Sequence, residues 1–541
     1  MTKSKRLLAS SAAAVLAVFL AACGEAAFEP LPVTEDEVLS HIRFLSHDLL
    51  EGRGLGSRGI ELAALYHEEF FRLFGLEPFF GSSYRQTFEL RGSLPDRKAL
   101  FQAVSGVNRI VPVLHDDFVV QSVREDVPED ISGELVYAGF LIQAPERNWD
   151  DIKGADLSGK ILLCEINEPG NRPGGIFDGE DMTYYGRWPY KFEKAAELGA
   201  AGVMIIHNTR GAAYGWDVVR NSFVREKFFI PNAVQAPGFQ GWIHGNLAAR
   251  IVSEAGLDLA ALREKAETEA FAPVPLGFTG TVRQKPAFRS IEATNVAGLI
   301  RAGHRKASDR TVVLTAHYDH LGKDENLPGD QIYNGAVDNC SASASLLALA
   351  SYFAQRPEDL KINLVFAAVT AEEELMLGSE YFVRNLDIPN EKIAANINFE
   401  MTNVWGETED VFAIGAAHSD LDDVCRRAAE RLDLRYIPER NAHLGFFFRS
   451  DQISFARGGI PGVWLHQGIV SRGEDKGYAL RKFEEYQKTK YHQVTDEIED
   501  DWDLRGTLQI IAWAREIVRI LGEDDRIPDF KPHSAFRRPG R

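Results

Sequence analysis

Two histidines and four carboxylates stand at places in the sequence from which side chains could converge: His317, Asp338, Glu372, Glu373, Glu400 and His492. His317 directly follows the apolar run Thr311–Ala316. Glu372 and Glu373 follow Ile362–Val369, and Glu400 follows Ile393–Phe399. Such runs read as buried strands, and in an open α/β sheet ligands bind in the crevice beyond the carboxyl ends of the strands. Asp338 stands in the tight loop Asn334-Gly335-Ala336-Val337-Asp338-Asn339, directly before a helical stretch. Imidazole nitrogen and carboxylate oxygen are donors that zinc accepts. Two metal ions roughly 3.5–4 Å apart need one bridging carboxylate and terminal donors on either side. A short Asp on a rigid turn suits the bridge. Hydrolysis at such a centre also needs a general base for the attacking water. Glu372 adjoins the candidate ligand Glu373, and neighbours on a turn diverge, so one can hold metal while the other faces the water.

Taken singly, each residue has a plainer reading. His317 and His492 fit core or loop histidines. Asp338 fits a cap on the helix that follows. Thr370-Ala371-Glu372-Glu373 fits a capping box, with Thr370 as N-cap and Glu373 three residues on. It is the joint occurrence, in order and at strand ends, that favours a metal site.

The elements that must position these groups can be read from periodicity. Strand-like runs at Asn295–Ile300, Thr311–Ala316, Lys361–Val369, Ile393–Phe399 and Gly462–His466 alternate with helical stretches that include Ser341–Gln355 and Leu504–Leu521. Near-continuous apolar strands alternating with helices predict an α/β fold, a mixed, mainly parallel sheet sandwiched by helices. Upstream, Thr34-Glu35-Asp36-Glu37 is a capping box that opens a helical region ending at Gly75. Gly52, Gly54, Gly56 and Gly59 mark a flexible loop within it. From about residue 85 to 285, short β-like runs (Gly133–Tyr137, Lys160–Cys164, Val203–Ile206) alternate with turns, and one helix, Tyr190–Leu198, precedes the third. No catalytic cluster falls there. The tail from Gly522 is charged and Pro-containing and is expected to pack loosely.

The chain has 541 residues, enough for two or three domains, and a net charge of −19. With no basic stripe beyond the first residues, that balance argues against nucleic-acid binding, which needs clustered Lys and Arg. Lys3, Lys5 and Arg6 precede the apolar, Ala-rich run Leu7–Ala22, which is short for a membrane span and reads as a secretory signal. Four cysteines, widely spaced and without a CxxC pair, form neither a disulfide framework nor a structural zinc site.

Several segments resemble known ones. Leu20-Ala21-Ala22-Cys23 resembles a bacterial lipobox, which implies a lipid on Cys23 and membrane association in a bacterial envelope. Gly24 after it, rather than Asp, implies the outer membrane, facing the periplasm or the surface. Gly133–Gly139, Leu157–Ile161 and Lys194–Gly202 resemble a protease-associated domain, a lid-like insertion. His317-Tyr318-Asp319-His320-Leu321-Gly322, Asn334–Asn339, Glu372–Ser379, Asn398-Phe399-Glu400-Met401 and Tyr491-His492 together resemble the zinc exopeptidase family that holds bacterial leucyl-type aminopeptidases and glutamate carboxypeptidases.

That resemblance implies a two-zinc exopeptidase acting on peptides, an aminopeptidase ahead of a carboxypeptidase because no Arg cluster adjoins the motifs. It implies one zinc on His317, Asp338 and Glu373 and another on Asp338, Glu400 and His492. Glu372 would be the general base and Asp319 the partner that fixes the His317 ring, with His320 a non-ligand. Other readings are a single-zinc glutaminyl cyclase and a catalytically dead, receptor-like binding protein. Three departures stand out: Glu400 where the family usually has Asp, Cys340 after the bridging Asp, and Gln452 where the loop Arg449-Ser450-Asp451-Gln452 usually carries His. Asp451 is given only a substrate-contact or structural role. The expected organisation is a lipoprotein signal peptide over 1–22, a tether over 23–33 and an N-terminal part of the peptidase domain over 34–110. A protease-associated domain over 111–285, the zinc peptidase domain over 286–525 and a tail over 526–541 follow.

Overall fold

The computed structural model describes residues 32–231 and 236–540. The expected signal peptide and Cys23 lie outside the described residues. Among the described residues, no helix is long and apolar enough to cross a membrane.

The larger of two main sheets has ten strands: β1 (Glu77–Pro78), β2 (Arg85–Leu94), β3 (Lys227–Phe229), β4 (Ala287–Ile300), β5 (Thr311–His317), β6 (Asn363–Val369), β7 (Ile393–Asn398), β8 (Asp410–Ile414), β9 (Arg435–Tyr436) and β10 (Gly462–Gln467). Their spatial order is β3-β2-β4-β6-β5-β7-β10-β8-β9, with β1 paired to β4. The four central strands β6, β5, β7 and β10 run parallel. Antiparallel pairs flank them on both sides, β4 with β6 and β8 with β10. The sheet is thus mixed, with its main parallel part at the centre and a short parallel pair, β8 with β9, at one edge.

Helices cover both faces: α1 (Glu35–Leu45), α2 (Arg58–Leu73), α3 (Ala342–Ala354), α4 (Leu377–Arg384), α5 (Leu421–Arg431), α6 (Gln452–Arg457) and α7 (Arg505–Glu523). Side chains of a strand alternate between faces. On β5, Val312, Leu314 and Ala316 belong to the core shared with α1, α2, α3, α5 and α7, whereas Val313 belongs to the core on the other face with Phe382 of α4 and Phe455 of α6. This is why the strand reads as one unbroken apolar run. In α3, Leu346, Leu347 and Leu349 are all fully buried, as expected of a helix that is apolar all round. α1 begins where Thr34 accepts the Glu37 N–H at 3.2 Å, and it buries Val38, Ile42 and Leu45, spaced four and three apart, along one stripe.

The chain between β2 and β4 builds a second sheet of eight strands. Its order is Asn108–Ile110, Leu100–Ser105, Val274–Arg283, Asp130–Tyr137, Ile161–Glu165, Gly202–His207, Phe239–His244 and Phe118–Gln121. The helices Trp188–Glu197, Gly245–Glu254 and Leu259–Ala266 pack on it around cores of their own. This sheet takes in residues from Leu100 onward, ahead of the expected boundary at 111. Conversely, Lys227–Phe229, within the segment expected to be lid-like, joins the larger sheet through β2.

Two expectations are corrected, and one of the plainer readings falls. The glycine-rich loop after α1 is packed, not flexible: a Cβ on Gly52 would lie 2.3 Å from the Gly322 carbonyl oxygen, and Arg53 is 1% exposed. Thr370 caps no helix, since α4 starts only at Leu377. The tail does not pack loosely. Arg538 is buried and donates to the carbonyls of Pro528, Asn390 and Ala394 at 2.9–3.1 Å, and Phe536 is buried too. A charged, Pro-containing stretch gave no hint that its charge would be satisfied by backbone. Cys164, Cys340 and Cys425 are free and buried.

Candidate metal centre

Strand register brings the candidate residues together. His317 pairs with Val369, so the turn carrying Glu372 and Glu373 leaves β6 beside the end of β5. On the other side Asn398 pairs with Thr315, and the Phe399 N–H still reaches the Thr315 carbonyl at 2.8 Å. Glu400, two residues past Asn398, is therefore level with His317. His317 Nε2 lies 3.2 Å from Glu400 Oε1, 3.4 Å from Asp338 Oδ1 and 3.8 Å from Glu372 Oε2. His492 Nε2 lies 3.2 Å from both Asp338 Oδ2 and Glu373 Oε2. Asp338 thus turns one oxygen to each imidazole.

The five donors and the base candidate meet in one place, but the pairing differs from the one expected. His317 goes with Glu400, not Glu373, and His492 goes with Glu373, not Glu400. The reason is the sheet: β5 and β7 are neighbours, so their end residues share one side of Asp338. His320, expected to be a non-ligand, sits with its Nδ1 2.6 Å from Glu373 Oε1, and His320, Asp338 and Glu373 form a second donor group beside His317, Asp338 and Glu400.

Several contacts hold these donors. Asp319, fully buried, accepts the N–H of Glu372 at 3.1 Å and of Glu373 at 3.3 Å. Its backbone carbonyl lies 3.2 Å from His317 Nδ1, with the carboxylate 3.6 Å away. It therefore clamps the Glu372–Glu373 turn as well as facing the His317 ring. Ser450 Oγ donates to Glu400 Oε2 at 2.7 Å, and the Trp464 indole N–H donates to the Glu400 carbonyl at 2.9 Å. His492 is held in the left-handed region (φ 59°), a conformation that non-glycine residues adopt at some cost and that is concentrated at functional sites.

The electrostatics are those of interlocked opposite charges. Burial alone would raise Glu373, but His492 and His320 hold its carboxyl at about 2; burial alone would lower His492, but Glu373 and Asp338 lift it to about 10. Burial opposes the ionised form of Asp338 too, and His317 and His492 outweigh it and hold the carboxyl low. Glu372 behaves differently. Burial pushes it well above the usual carboxylate range, His317 only partly opposing, with the Glu400 and Glu373 charges adding to the rise. Carboxylates and imidazoles facing one another around a two-sided Asp, with no Lys or Arg between them, are the donor set that zinc takes.

The comparisons with known proteins bear on this centre. The model of the family described as "Peptidase family M28" matches residues 295–515. The chain carries a peptidase family M28 domain. It is a metallopeptidase, a hydrolase of peptide bonds. Among solved structures, an aminopeptidase from Aneurinibacillus sp. strain AM-1 matches at 19% identity with TM-score 0.50, covering 94% of this chain and 97% of that one. It shares the mixed α/β fold. A zinc aminopeptidase from Bacillus subtilis matches at 18% identity, TM-score 0.43, with 91% and 96% covered. A peptidase M28 precursor from Shewanella amazonensis matches at 16% identity, TM-score 0.41, with 92% and 98% covered. No curated protein matches.

Within the M28 domain and its N-terminal helices, further residues serve the donors. The Asp496 carboxylate accepts the N–H of Val337 and of Asp338, each at 3.0 Å, and the Tyr486 hydroxyl at 2.9 Å, fixing the loop that presents Asp338. Asn339 donates to the Phe399 carbonyl and accepts the Met401 N–H, tying that loop to the Glu400 segment. Arg53 reaches in from the glycine-rich loop after α1. Its guanidinium donates to the carbonyls of Leu45, Tyr318 and Asn334 at 2.6–2.8 Å and of Gly335 at 3.3 Å, joining the two loops that bear His317 and Asp338. Sequence reasoning missed all three. Asn339 lay inside the Asn334–Asn339 loop already singled out, but without a role of its own, and Asp496 stands four residues past His492. Gln452 is structural: it accepts from Asn398 and donates to the Phe447 carbonyl. Asp451 is fully buried, its carboxylate oxygens make no hydrogen bond, and burial pushes it up to about 7. Tyr491 stacks on His492 at 3.9 Å.

Proposed function

We propose that the protein is a two-zinc aminopeptidase. One ion would be held by His317, Asp338 and Glu400, and the other by Asp338, Glu373 and His492. The observation that carries this is the disposition of Asp338, with Oδ1 3.4 Å from His317 Nε2 and Oδ2 3.2 Å from His492 Nε2. When bound, the ions would lower the pKa of a shared water and polarise the scissile carbonyl.

The residues do the rest. Glu372, beside the donors with its Oε2 3.8 Å from His317 Nε2, accepts the proton of the attacking water and passes it to the leaving amine. Asp319 holds Glu372 in place through its backbone N–H. The phenol of Tyr491, stacked on His492 at 3.9 Å and 39% exposed, can donate to the developing oxyanion. A rim of carboxylates, with Asp451 behind it, attracts a free α-ammonium, which supports action at the peptide N-terminus. We read the second-sheet unit as a lid-like, protease-associated insertion on the substrate side.

The test is amino-acid release from short peptides by the fragment starting after Cys23, with N-blocked and C-amidated controls. The reading expects release that chelation abolishes and that fails only on N-blocked peptides. Failure only on C-amidated peptides would instead make it a carboxypeptidase. We also propose lipid anchoring through Cys23 in a bacterial envelope, supported by the lipobox-like run before it. A Cys23→Ser chain that still takes up labelled fatty acid would refute that.

A further inference from the structure

We propose that His320 is a positioning residue for Glu373. Its Nδ1–H fixes one carboxylate oxygen, so that the other alone is presented to the ion on the His492 side. The proposal rests on the two-zinc reading above and names what sets the affinity of one of the two sites.

His320 lies three residues past His317 and is buried, with its Nδ1 2.6 Å from Glu373 Oε1. By residue type, His320, Asp338 and Glu373 could hold an ion of their own. The distances decide otherwise. Zinc bonds of about 2.0–2.2 Å in a tetrahedron set two donors of one ion roughly 3.3 Å apart. The pairs that would share an ion match this: His317 with Glu400 at 3.2 Å and with Asp338 at 3.4 Å, and His492 with Asp338 and with Glu373 at 3.2 Å each. At 2.6 Å, His320 and Glu373 are too close to share an ion and stand at the short end of a hydrogen bond to a charged acceptor. An ionised carboxylate only accepts, so Nδ1 carries the proton. The other ring nitrogen, Nε2, is buried without a hydrogen-bond partner. A ligating imidazole gives its second N–H to an acceptor, as His317 can to the Asp319 carbonyl at 3.2 Å, and His320 has no such acceptor.

The two halves of the centre are built alike. Glu400 turns Oε1 to His317, while its Oε2 accepts the Ser450 hydroxyl at 2.7 Å. Glu373 turns Oε2 to His492, while its Oε1 accepts from His320. The outermost torsion of a Glu is broad, so a donor on one oxygen is what decides how the other points. The His320 ring is itself fixed. A Cβ on Gly335 (φ 59°) would stand 2.6 Å from His320 Cδ2, and the His320 backbone N–H donates to the Arg53 carbonyl at 3.2 Å. The His492 ring lies edge-on at 5.8 Å. One imidazole is thus carried by the His317 loop, packed on the Asp338 loop and bonded to the Glu373 turn.

The test is the affinity of each zinc ion for the purified full chain, by chelator competition, in His320→Ala, His320→Asn and His320→Gln. His492→Ala marks which of the two dissociation constants belongs to the His492 side. His320→Ala should weaken that constant by about 10–100-fold and leave the other within about threefold. The Asn amide nitrogen takes the place of Nδ1, so His320→Asn should restore wild-type affinity. The Gln amide reaches the Nε2 position instead, so His320→Gln should not. Should the Ala variant fail to fold, Asn against Gln decides the same question. X-ray absorption on the zinc-loaded wild type should count about one imidazole per zinc. A count near 1.5 would make His320 a ligand and overturn the proposal. So would unchanged constants in His320→Ala, or an Asn variant as weak as Ala. A wild type that holds a single zinc contradicts the two-zinc reading. The proposal then turns on that ion: weakening in His320→Ala with rescue by Asn upholds it, and no effect overturns it. A wild type that takes up no zinc overturns both.

Discussion

Replacing Arg53 by Met keeps most of the side-chain length and removes the guanidinium that joins the His317 and Asp338 loops. Four carbonyl oxygens, those of Leu45, Tyr318, Asn334 and Gly335, lose their donor in one step. A buried carbonyl left without a partner costs about 1–3 kcal/mol, so the gross loss is of order 4–12 kcal/mol. Against this stands the cost of burying a cation that has only carbonyl partners, itself several kcal/mol. The net loss of stability for the metal-free protein should be about 3 kcal/mol. Metal affinity should fall as well, by about 10–100-fold, the range seen when partners that orient ligands are removed. By linkage, each tenfold loss of affinity removes about 1.4 kcal/mol from the stabilisation that zinc gives. Urea unfolding with and without zinc, and zinc affinity by chelator competition, measure the two effects separately. Arg53→Lys should be intermediate, since an ammonium cannot span four acceptors in the guanidinium plane. Wild-type zinc affinity in Arg53→Met, with only the metal-free stability lowered, would refute the claim that Arg53 positions the donors.

Glu372→Gln should keep its metal and lose about 10²–10⁴-fold in kcat, the span of general acid–base catalysis; turnover within tenfold of wild type removes the base assignment. Burial pulls His466 down to about 4, below its ordinary 6.5. The unfolded chain therefore takes up a proton first as the pH falls, and the stability this residue contributes, complete above about 6.5, is lost on the way to about 4. His466→Phe should gain on the wild type over that window by up to about 1.4 kcal/mol per pH unit in urea unfolding. Parallel curves for the two proteins would contradict the shift.

The donor residues were legible in the sequence because each follows an apolar run or a tight turn, and the runs are unbroken because helices cover both faces of the central strands. Their pairing was not legible. Local pattern says that β5, β6 and β7 end in donors, but it does not say that β7 lies directly against β5, and that neighbourhood decides that Glu400 meets His317. Arg53 and Asp496 were hidden for another reason. Their partners are backbone groups far away in the chain, which leave no trace in residue type. The same holds for Arg538, which turns a tail that reads as loose into a packed one. The glycines around Arg53 misled in the opposite direction: they permit close approach to Gly322, and flexibility was only one of the two things a glycine can mean.

The central claim is that Asp338 bridges two metal ions. Elemental analysis of the soluble fragment, stripped with chelator and titrated back with zinc, tests it most directly when wild type and Asp338→Asn are compared. Wild type should bind two zinc ions per chain, and Asp338→Asn should hold one at most, with weakened affinity. A single zinc in the wild type, or two held with undiminished affinity by Asp338→Asn, would contradict it.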